Sequence, residues 1–334
     1  MTDFLNALVL LANFVLVPGL AYGAQLALGA LGVTLVFGIL RFANFAHGDL
    51  MAFGTMITIL VTWWLQSLGV TLGPLPTALL ALPVGMAGAV AFSLLADRAV
   101  FRFYRVRKAP AIVVVMASVG VMFMLNGIVR FAIGPDDQRF ADGARFVIDA
   151  RGWREMTGLA EALTIRLPVV ITVVVAAAVV VWLFWFLQKT RMGKAMRAYS
   201  DNEDLALLSG INPERVVMVT WIIAASLATI AGTLYGLDKS FKPFTYFQLL
   251  LPIFAAAIVG GIGQPFGAIA GGFVIAFSEI ILTYPFKRFL EYLGFSPESL
   301  VQLLSTEYKF AVSFVIMVIV LLIRPTGIFR GRVL

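Results

Sequence analysis

The chain has 334 residues, of which 61% are hydrophobic and only 13% are charged, with a net charge of +7 and a mean hydropathy of +0.97. A soluble domain is roughly 45–50% apolar and about 25% charged, so these charges are too few to cover a water-soluble globule of this size. The sequence therefore predicts an all-α, polytopic integral membrane protein whose surface is largely covered by lipid. Cysteine is absent, which excludes disulfides and cysteine-based metal sites.

The excess of positive charge would suggest a nucleic-acid ligand in a soluble protein. No basic face with interleaved aromatic residues is present, however, so we expect no nucleic-acid partner. In a membrane protein, Lys and Arg collect instead in the cytoplasmic loops. No basic segment and cleavage site precede the first apolar stretch, so we expect that stretch to be retained as a membrane segment.

Apolar stretches of about 20 residues predict the membrane-spanning helices. In chain order they lie at about 19–40, 50–69, 75–96, 109–129, 167–187, 216–237 and 308–323. The run 249–284 is too long for one helix and contains glycines and a proline, which predicts two segments joined by a turn. Residues 4–18 are apolar but short and end at Pro18-Gly19, so they form either a further span or an interfacial helix. The total is about nine or ten transmembrane or re-entrant helices.

The distribution of positive charge predicts the orientation of these helices. The stretches 98–108 and 188–197 are dense in Lys and Arg and fall on one side, together with the arginines after residue 323. We therefore expect that side to be cytoplasmic and the loop 134–166, where arginines mix with acids, to be periplasmic. Five apolar side chains predict that this loop is folded, with each of them buried: Phe140, Phe146, Val147, Ile148 and Trp153.

A polar segment, Arg41-Phe-Ala-Asn-Phe-Ala-His-Gly-Asp49, interrupts two apolar runs and contains the chain's one histidine. Polar groups at membrane depth are costly and usually line a cavity or pathway. In that case Asn44 and His47, three residues apart, share a helix face near the pathway, and Asp49 caps the following helix. The alternative is that Asn44 and Asp49 cap helix ends at the cytoplasmic surface. The candidate pathway residues here are Asn44, Phe45, His47, Gly48 and Asp49.

A second candidate is the glycine-rich turn Gly260–Gly267, Gly-Gly-Ile-Gly-Gln-Pro-Phe-Gly. Glycine-interrupted segments in the two halves of a transporter point to its central pathway, whereas close helix packing is the alternative. Glu279 lies in the apolar run beyond the turn, and either serves the pathway or pairs with a neighbouring helix. The candidate pathway residues of this region are Gly260, Gly261, Gly263 and Glu279.

The loop 188–215 is the third candidate. Ser200 and Glu203 have capping-box spacing, which predicts that a short helix starts there, and Gly210 is placed to end it. Leu205, Ala206 and Leu208 give this helix one apolar side. It could dock on lipid head groups or into another protein.

Several enzyme signatures are absent from the sequence. The phosphate-loop pattern G-x-x-x-x-G-K-[ST] is not present, because Gly193-Lys194 is followed by alanine and lacks the upstream glycine. Nor are H-E-x-x-H, G-x-S-x-G or kinase signatures found. We therefore expect a transport subunit that is not an enzyme, holds no cofactor or metal, and leaves ATP to partner subunits.

Five stretches occur in the order typical of one family. They are GVTLVFGILRFANFAHGDLMAFG, TRMGKAMRAYSDNEDLALLSGI, AASLATIAGTLYG, AAIVGGIGQPFGAIAGGFVIAFSE and LLIRPTGIFRG. From about residue 20 to 331, the chain resembles the permease subunits of the branched-chain amino acid (hydrophobic amino acid uptake) ABC importers.

The resemblance implies an ABC importer permease fold, with one transmembrane permease domain over 1–334, in the bacterial inner membrane. It also implies alternating access and four partners: a second related permease, two ATPase subunits and a periplasmic solute-binding protein. The cytoplasmic loop at about 189–213 matches the ATPase-coupling loop of the family. Its candidate coupling residues are Gly193, Lys194, Arg197, Ser200, Asp201, Glu203, Leu208 and Gly210. Relatives carry branched-chain or other amino acids, urea, short amides or aromatic acids.

Two other classes of protein fit the sequence less well. An ion-coupled secondary transporter usually has several intramembrane acids and histidines, and this chain has few. A membrane enzyme would use His47 with Asp49, but two residues apart on a helix these side chains point to different faces.

Overall fold

The computed structural model describes residues 2–140, 142–295, 298 and 301–329. Within these residues nine helices are long and apolar enough to cross a membrane, which confirms the predicted polytopic all-α fold. In chain order the elements are α1 Thr2–Leu40, α2 His47–Ser67, α3 Ala78–Val106, α4 Ala111–Ile133, β1 Phe146–Ile148, α5 Ala150–Thr157, β2 Ile165–Arg166, α6 Leu167–Lys189, α7 Arg191–Asp201, α8 Glu203–Leu208, α9 Pro213–Asp238, α10 Pro243–Gly260, α11 Pro265–Thr283, α12 Lys287–Tyr292 and α13 Thr306–Ile323. The nine candidate spans are α1–α4, α6, α9–α11 and α13.

The first span is longer than predicted. Residues 4–18 do not form a separate helix, because they continue into α1, a helix of 39 residues. A π-helical turn, Ala12–Leu16, precedes Pro18. Pro18 then lies in the first turn of the following α-helical part, where a missing N–H is tolerated.

The centre of the bundle is formed by α1, α2, α9, α10 and α11. Small residues let these helices approach each other closely. A Cβ added at Gly54 of α2 would lie 2.1 Å from Oγ1 of Thr229 in α9, and one at Gly272 of α11 would lie 2.6 Å from the backbone N of Ala27 in α1. By contrast, only 11% of the residues of α13 are buried, so this helix lies at the edge of the described bundle.

The order of the spans agrees with the predicted orientation. With nine crossings among the described residues, the stretches 107–110, 190–212, 261–264 and 324–329 lie on one side, together with the Lys- and Arg-rich ends of α3 and α6. We refer to this side as cytoplasmic. The loop 134–166 lies on the opposite side.

The loop 134–166 is folded, as predicted. Its strands β1 and β2 pair antiparallel, and its helix α5 is capped by Asp149, whose carboxylate accepts a hydrogen bond from the Gly152 N–H at 3.1 Å. The prediction that all its apolar side chains are buried is wrong, because Phe146 and Val147 are 42% and 55% exposed. Successive side chains of a strand point to opposite faces, and a two-stranded ribbon is too small to cover both, so both side chains stay exposed.

Candidate functional site at the interrupted helix

The predicted interruption is present between α1 and α2. Helix α1 ends at Leu40, Arg41 adopts a left-handed backbone with φ of 59°, and residues 42–46 are not helical before α2 begins at His47. We call residues 41–49 the interrupted segment.

Contacts with α4 show how deep the interrupted segment reaches. The Phe45 N–H donates to Ser118 Oγ at 3.1 Å, and Asn126 Nδ2 donates to Asp49 Oδ1 at 2.8 Å. Ser118 and Asn126 lie about 10 and about 22 Å along α4 from its cytoplasmic start, at 1.5 Å per residue. The segment therefore climbs back into the membrane, and α2 begins near mid-depth of a hydrocarbon core about 30 Å thick. This excludes the alternative that the whole segment lies at the cytoplasmic surface.

The predicted roles of Asn44 and Asp49 need correction. Asn44 precedes α2, so it shares no helix face with His47; its Oδ1 accepts a hydrogen bond from the Ala46 N–H at 3.2 Å. Asp49 does not cap α2, because the N-cap position is Ala46 and no side chain caps it. The Asp49 carboxylate instead bonds Asn126 across the helix interface. The predicted cap, Asp49, therefore lies three residues beyond the observed N-cap, Ala46.

His47 is fully buried between α1 and α9. A Cβ added at Gly32 of α1 would lie 2.6 Å from the imidazole Cε1, and the Ala224 carbonyl of α9 borders the same space. Neither ring nitrogen meets hydrogen-bond geometry with a described residue, although the Gly29 carbonyl interacts with the ring. Gly32 therefore makes the room that the imidazole occupies inside the bundle.

Of the five candidate residues in the interrupted segment, Phe45 is the one that the structure leaves exposed, at 36%. Its ring centroid lies 5.4 Å from that of Phe254 in α10. Both rings line an apolar groove of about 260 Å³ that Phe37 of α1 and Phe314 of α13 also line. Gly48 is buried, because a Cβ there would lie 2.7 Å from the Tyr246 carbonyl.

The glycine-rich turn joins α10 to α11 as a tight hairpin. A Cβ at Gly260 would lie 1.9 Å from the Gly267 carbonyl oxygen, and Gly261 and Gly263 have φ of 110° and 84°. Residues 324–329, which follow α13, cover this turn, since the Phe329 N–H donates to the Gly260 carbonyl at 3.2 Å. These contacts are those of close packing, and the turn lies at the cytoplasmic end of the bundle, away from His47.

Glu279 of α11 is fully buried and pairs with the neighbouring helix α13. Its Oε2 lies 3.7 Å from Lys309 Nζ, and its Oε1 accepts a hydrogen bond from Ser313 Oγ. The Lys309 ammonium also lies 3.8 Å from the centroid of the Tyr22 ring in α1. Glu279 thus holds three helices together, as the pairing alternative predicted.

The cytoplasmic loop 189–213, which we call the coupling loop, contains two helices rather than one. Asn202, not Ser200, caps the second helix, α8: its Oδ1 accepts from the Leu205 N–H at 3.0 Å. Ser200 lies inside α7, and its Oγ donates to the Gly38 carbonyl of α1 at 3.0 Å. An asparagine cap satisfies the same orphan N–H groups as a serine, so the capping-box spacing placed the start within three residues.

Gly210 ends α8 as predicted, with φ of 79°. The Ile211 N–H donates to the Ala206 carbonyl at 3.1 Å and the Gly210 N–H donates to the Leu207 carbonyl at 3.0 Å, which is the Schellman pattern. Gly193 is buried at the start of α7, where a Cβ would lie 2.3 Å from the Phe186 carbonyl. A bulky residue at Gly193 would therefore disrupt the fold of the loop itself.

The side chains of the coupling loop divide into internal and exposed groups. Glu203 accepts a hydrogen bond from the Tyr199 hydroxyl at 2.6 Å, and burial together with this carboxylate raises the pKa of Tyr199. The apolar side of α8 is split, because Ala206 is 3% exposed whereas three leucines point outward. Exposed side chains of the loop include Lys194, Arg197, Asp201, Glu203, Asp204, Leu205, Leu207 and Leu208, so Glu203 bonds Tyr199 from the surface.

Three residues that matter to the interrupted segment were not singled out from the sequence. They are Arg41, whose Nη2 donates to the Ser200 carbonyl at 2.5 Å, and the two α4 partners Ser118 and Asn126. Asn126 carried a signal, since an amide inside an otherwise apolar run seeks a hydrogen-bond partner within the membrane. Arg41 carried no comparable signal.

We expect Asn126→Leu to destabilise the protein, because it leaves the buried Asp49 carboxylate without its amide donor. The expected loss is about 1–3 kcal/mol, the cost of an unsatisfied buried polar group. Thermal unfolding of the purified protein in detergent measures it. Met124→Leu, at a position 50% exposed on the same helix, is the control and should change little. Equal stability of the two variants would show that the Asp49–Asn126 bond contributes nothing.

Comparison with known proteins adds to this geometry. The LivH high-affinity branched-chain amino acid transport permease of Escherichia coli K12 is 29% identical over 93% of this chain and 92% of its own length. BraD of Pseudomonas aeruginosa is 28% identical over 94% of each chain, and a probable LivH of Methanocaldococcus jannaschii is 28% identical over 95% and 92%.

One solved structure, described as PsaBC from Streptococcus pneumoniae in complex with Fab, covers 97% of this chain and 92% of that chain. Its TM-score is 0.46 and its identity 13%, so it carries no argument about this protein. The sequence profile described as "Branched-chain amino acid transport system / permease component" matches residues 15–321. With nearly its whole length matched and nine apolar helices among its described residues, this chain is a multi-pass inner-membrane protein that belongs to the branched-chain amino acid transport permease family.

Proposed function

We propose that this chain is the transmembrane subunit of an ATP-driven ABC importer that moves branched-chain or related amino acids inward by alternating access. The observation that carries the proposal is the contact between the coupling loop and the end of α1, directly beside the interrupted segment. Ser200 Oγ donates to the Gly38 carbonyl of α1 at 3.0 Å, three residues before the interrupted segment, and the Ser200 carbonyl accepts from Arg41, the first residue of that segment. Family membership supports the same function.

The partner surface for ATPase subunits is α8 of the coupling loop. Leu205, Leu207 and Leu208 are 60%, 42% and 85% exposed on a helix that is capped at both ends. Neighbouring exposed apolar side chains on a rigid helix are typical of a docking site. Asp201 and Asp204 stand beside them, and acidic groups are repelled by the anionic cytoplasmic leaflet. This charge favours a groove on a protein over the lipid surface.

We propose that the solute contacts Phe45 and the apolar groove beside it. Aliphatic side chains suit a groove of about 260 Å³ lined largely by aromatic and aliphatic carbon. Asn44, His47 and Asp49 are buried around the start of α2. They fix the backbone that carries Phe45. The named relatives transport branched-chain amino acids, which supports an amino acid with an apolar side chain over urea, short amides or aromatic acids.

The remaining partners follow from alternating access. A second, related permease would complete the path on the exposed side of Phe45, and a periplasmic binding protein would deliver the solute. The chain lacks a phosphate loop, so two ATPase subunits would supply the energy. Most of the selectivity would reside in the binding protein, because a permease must release its cargo.

Co-expression with candidate ATPase subunits tests the proposed docking surface. We expect Leu208→Asp to lower ATPase co-purification and solute uptake by about tenfold or more, the effect of losing an interface hot spot. Insertion of the variant into the membrane should be unchanged, since Leu208 is 85% exposed. The matched control is Leu303→Asp, which alters an exposed leucine on the opposite side of the membrane. Normal ATPase binding by Leu208→Asp would make lipid the better occupant of α8.

A further inference from the structure

Arg41 has a backbone conformation that its residue type rarely adopts. Its φ and ψ are 59° and 29°, in the left-handed region, and its N–H donates to the Phe37 carbonyl at 3.0 Å as α1 ends. Glycine is the usual residue at such a helix end, because a Cβ makes this conformation unfavourable. The arginine side chain therefore has to contribute something that glycine cannot.

The guanidinium of Arg41 crosses to the coupling loop. Its Nη2 donates to the Ser200 carbonyl at 2.5 Å, while Ser200 Oγ donates back to the Gly38 carbonyl of α1. Ser200 lies in the last turn of α7, where backbone carbonyls lack helical partners and carry the negative end of the helix dipole. A cation that never loses its proton suits this position. The two bonds join the end of α7 to the end of α1.

Ring contacts and a hydrogen bond fix the residues between Arg41 and the start of α2. The Phe42 ring centroid lies 5.3 Å from that of Phe101 in α3, and Phe101 stacks on Trp221 of α9 at 5.3 Å. Phe45 is fixed to Ser118 by its N–H. A displacement of α7 thus acts on the first residue of the interrupted segment, rather than on helix ends remote from it.

We propose that Arg41 is the positioning residue that transmits movement of the coupling loop to the interrupted segment. This inference rests on the proposed function, since it assumes that ATPase subunits move α7. Arg41 contacts no solute in this role. It determines the position of the interrupted segment, and therefore of Phe45, for each position of the coupling loop.

The test uses the full complex of permeases and ATPases with the solute-loaded binding protein, and measures uptake together with ATP hydrolysis. We expect Arg41→Gly to assemble normally, because glycine accepts the left-handed backbone. Uptake per ATP hydrolysed should fall about tenfold, in line with the loss of a charge-assisted hydrogen bond. Arg41→Lys keeps the charge and should restore part of the coupling.

Lys108→Gly is the matched control. Lys108 is also a cation in the left-handed region, with φ of 50°, on the same side of the membrane. If Arg41→Gly keeps the wild-type uptake per ATP, or loses no more than Lys108→Gly, the inference is overturned. Loss of the assembled complex in Arg41→Gly alone also overturns it, because the arginine would then serve assembly. Failure of wild-type chain to bind any ATPase would instead refute the proposed function.

Discussion

Gly260→Ala is expected to lower the stability and the yield of folded protein strongly, although it adds one methyl group. The added Cβ would lie 1.9 Å from the Gly267 carbonyl oxygen, and both neighbours in this contact are backbone atoms of the α10–α11 hairpin. Backbone cannot rotate away as a side chain does, so the two helices must separate. Overpacking in a core costs typically about 1–3 kcal/mol and occasionally more, and we expect this site at the upper end.

The measurement is the yield of monodisperse protein in detergent and its thermal midpoint. Gly120→Ala in α4 is the matched control, since Gly120 is also a helical glycine within a span but a Cβ there meets no described atom within 4 Å. That variant should be neutral or slightly stabilised, because alanine restricts the unfolded chain more than glycine does. A Gly260→Ala protein as stable as the control would mean that the hairpin is looser than the structure shows.

Lys309→Met is expected to destabilise the protein by about 3 kcal/mol, the lower end of the cost of breaking a buried ion pair, because Lys309 itself is 31% exposed. Glu279, which is fully buried, would lose the cation at 3.7 Å and would have either to hold an uncompensated charge or to take up a proton within the membrane. Adding Glu279→Gln to this variant should recover much of the loss, because the remaining amide still bonds Ser313 and carries no charge.

A double-mutant cycle on the purified protein decides this prediction. Unfolding is measured for the two single variants and for the double variant, with Lys242→Met as control for an exposed lysine on the same side of the membrane. Strong non-additivity is expected only for the Glu279–Lys309 pair. Additive losses would show that the two charges are solvated separately and that the ion pair does not fasten α13 to α11.

Much of the fold could be predicted because it depends on local properties of the sequence. Apolar runs of about 20 residues gave the spans, since each must cross the same hydrocarbon core. The polar stretch at 41–49 gave the interruption, and Gly210 gave the end of α8 because the Schellman geometry needs a left-handed residue. The starts of α2 and α8 were misplaced by two or three residues, because several nearby polar side chains can cap a helix equally well.

What the sequence by itself determined about this protein is therefore its class, its spans, the presence of an interruption at 41–49 and its family motifs, whereas the depth of that interruption came from its contacts with α4. The tertiary structure alone decided which polar groups meet. Asp49 pairs with Asn126, and Arg41 reaches Ser200, 159 residues away in the chain. Helix packing also decided that His47 is buried beside Gly32. Such contacts depend on how whole helices pack, and packing is set by the summed shape of many side chains rather than by the spacing of a few.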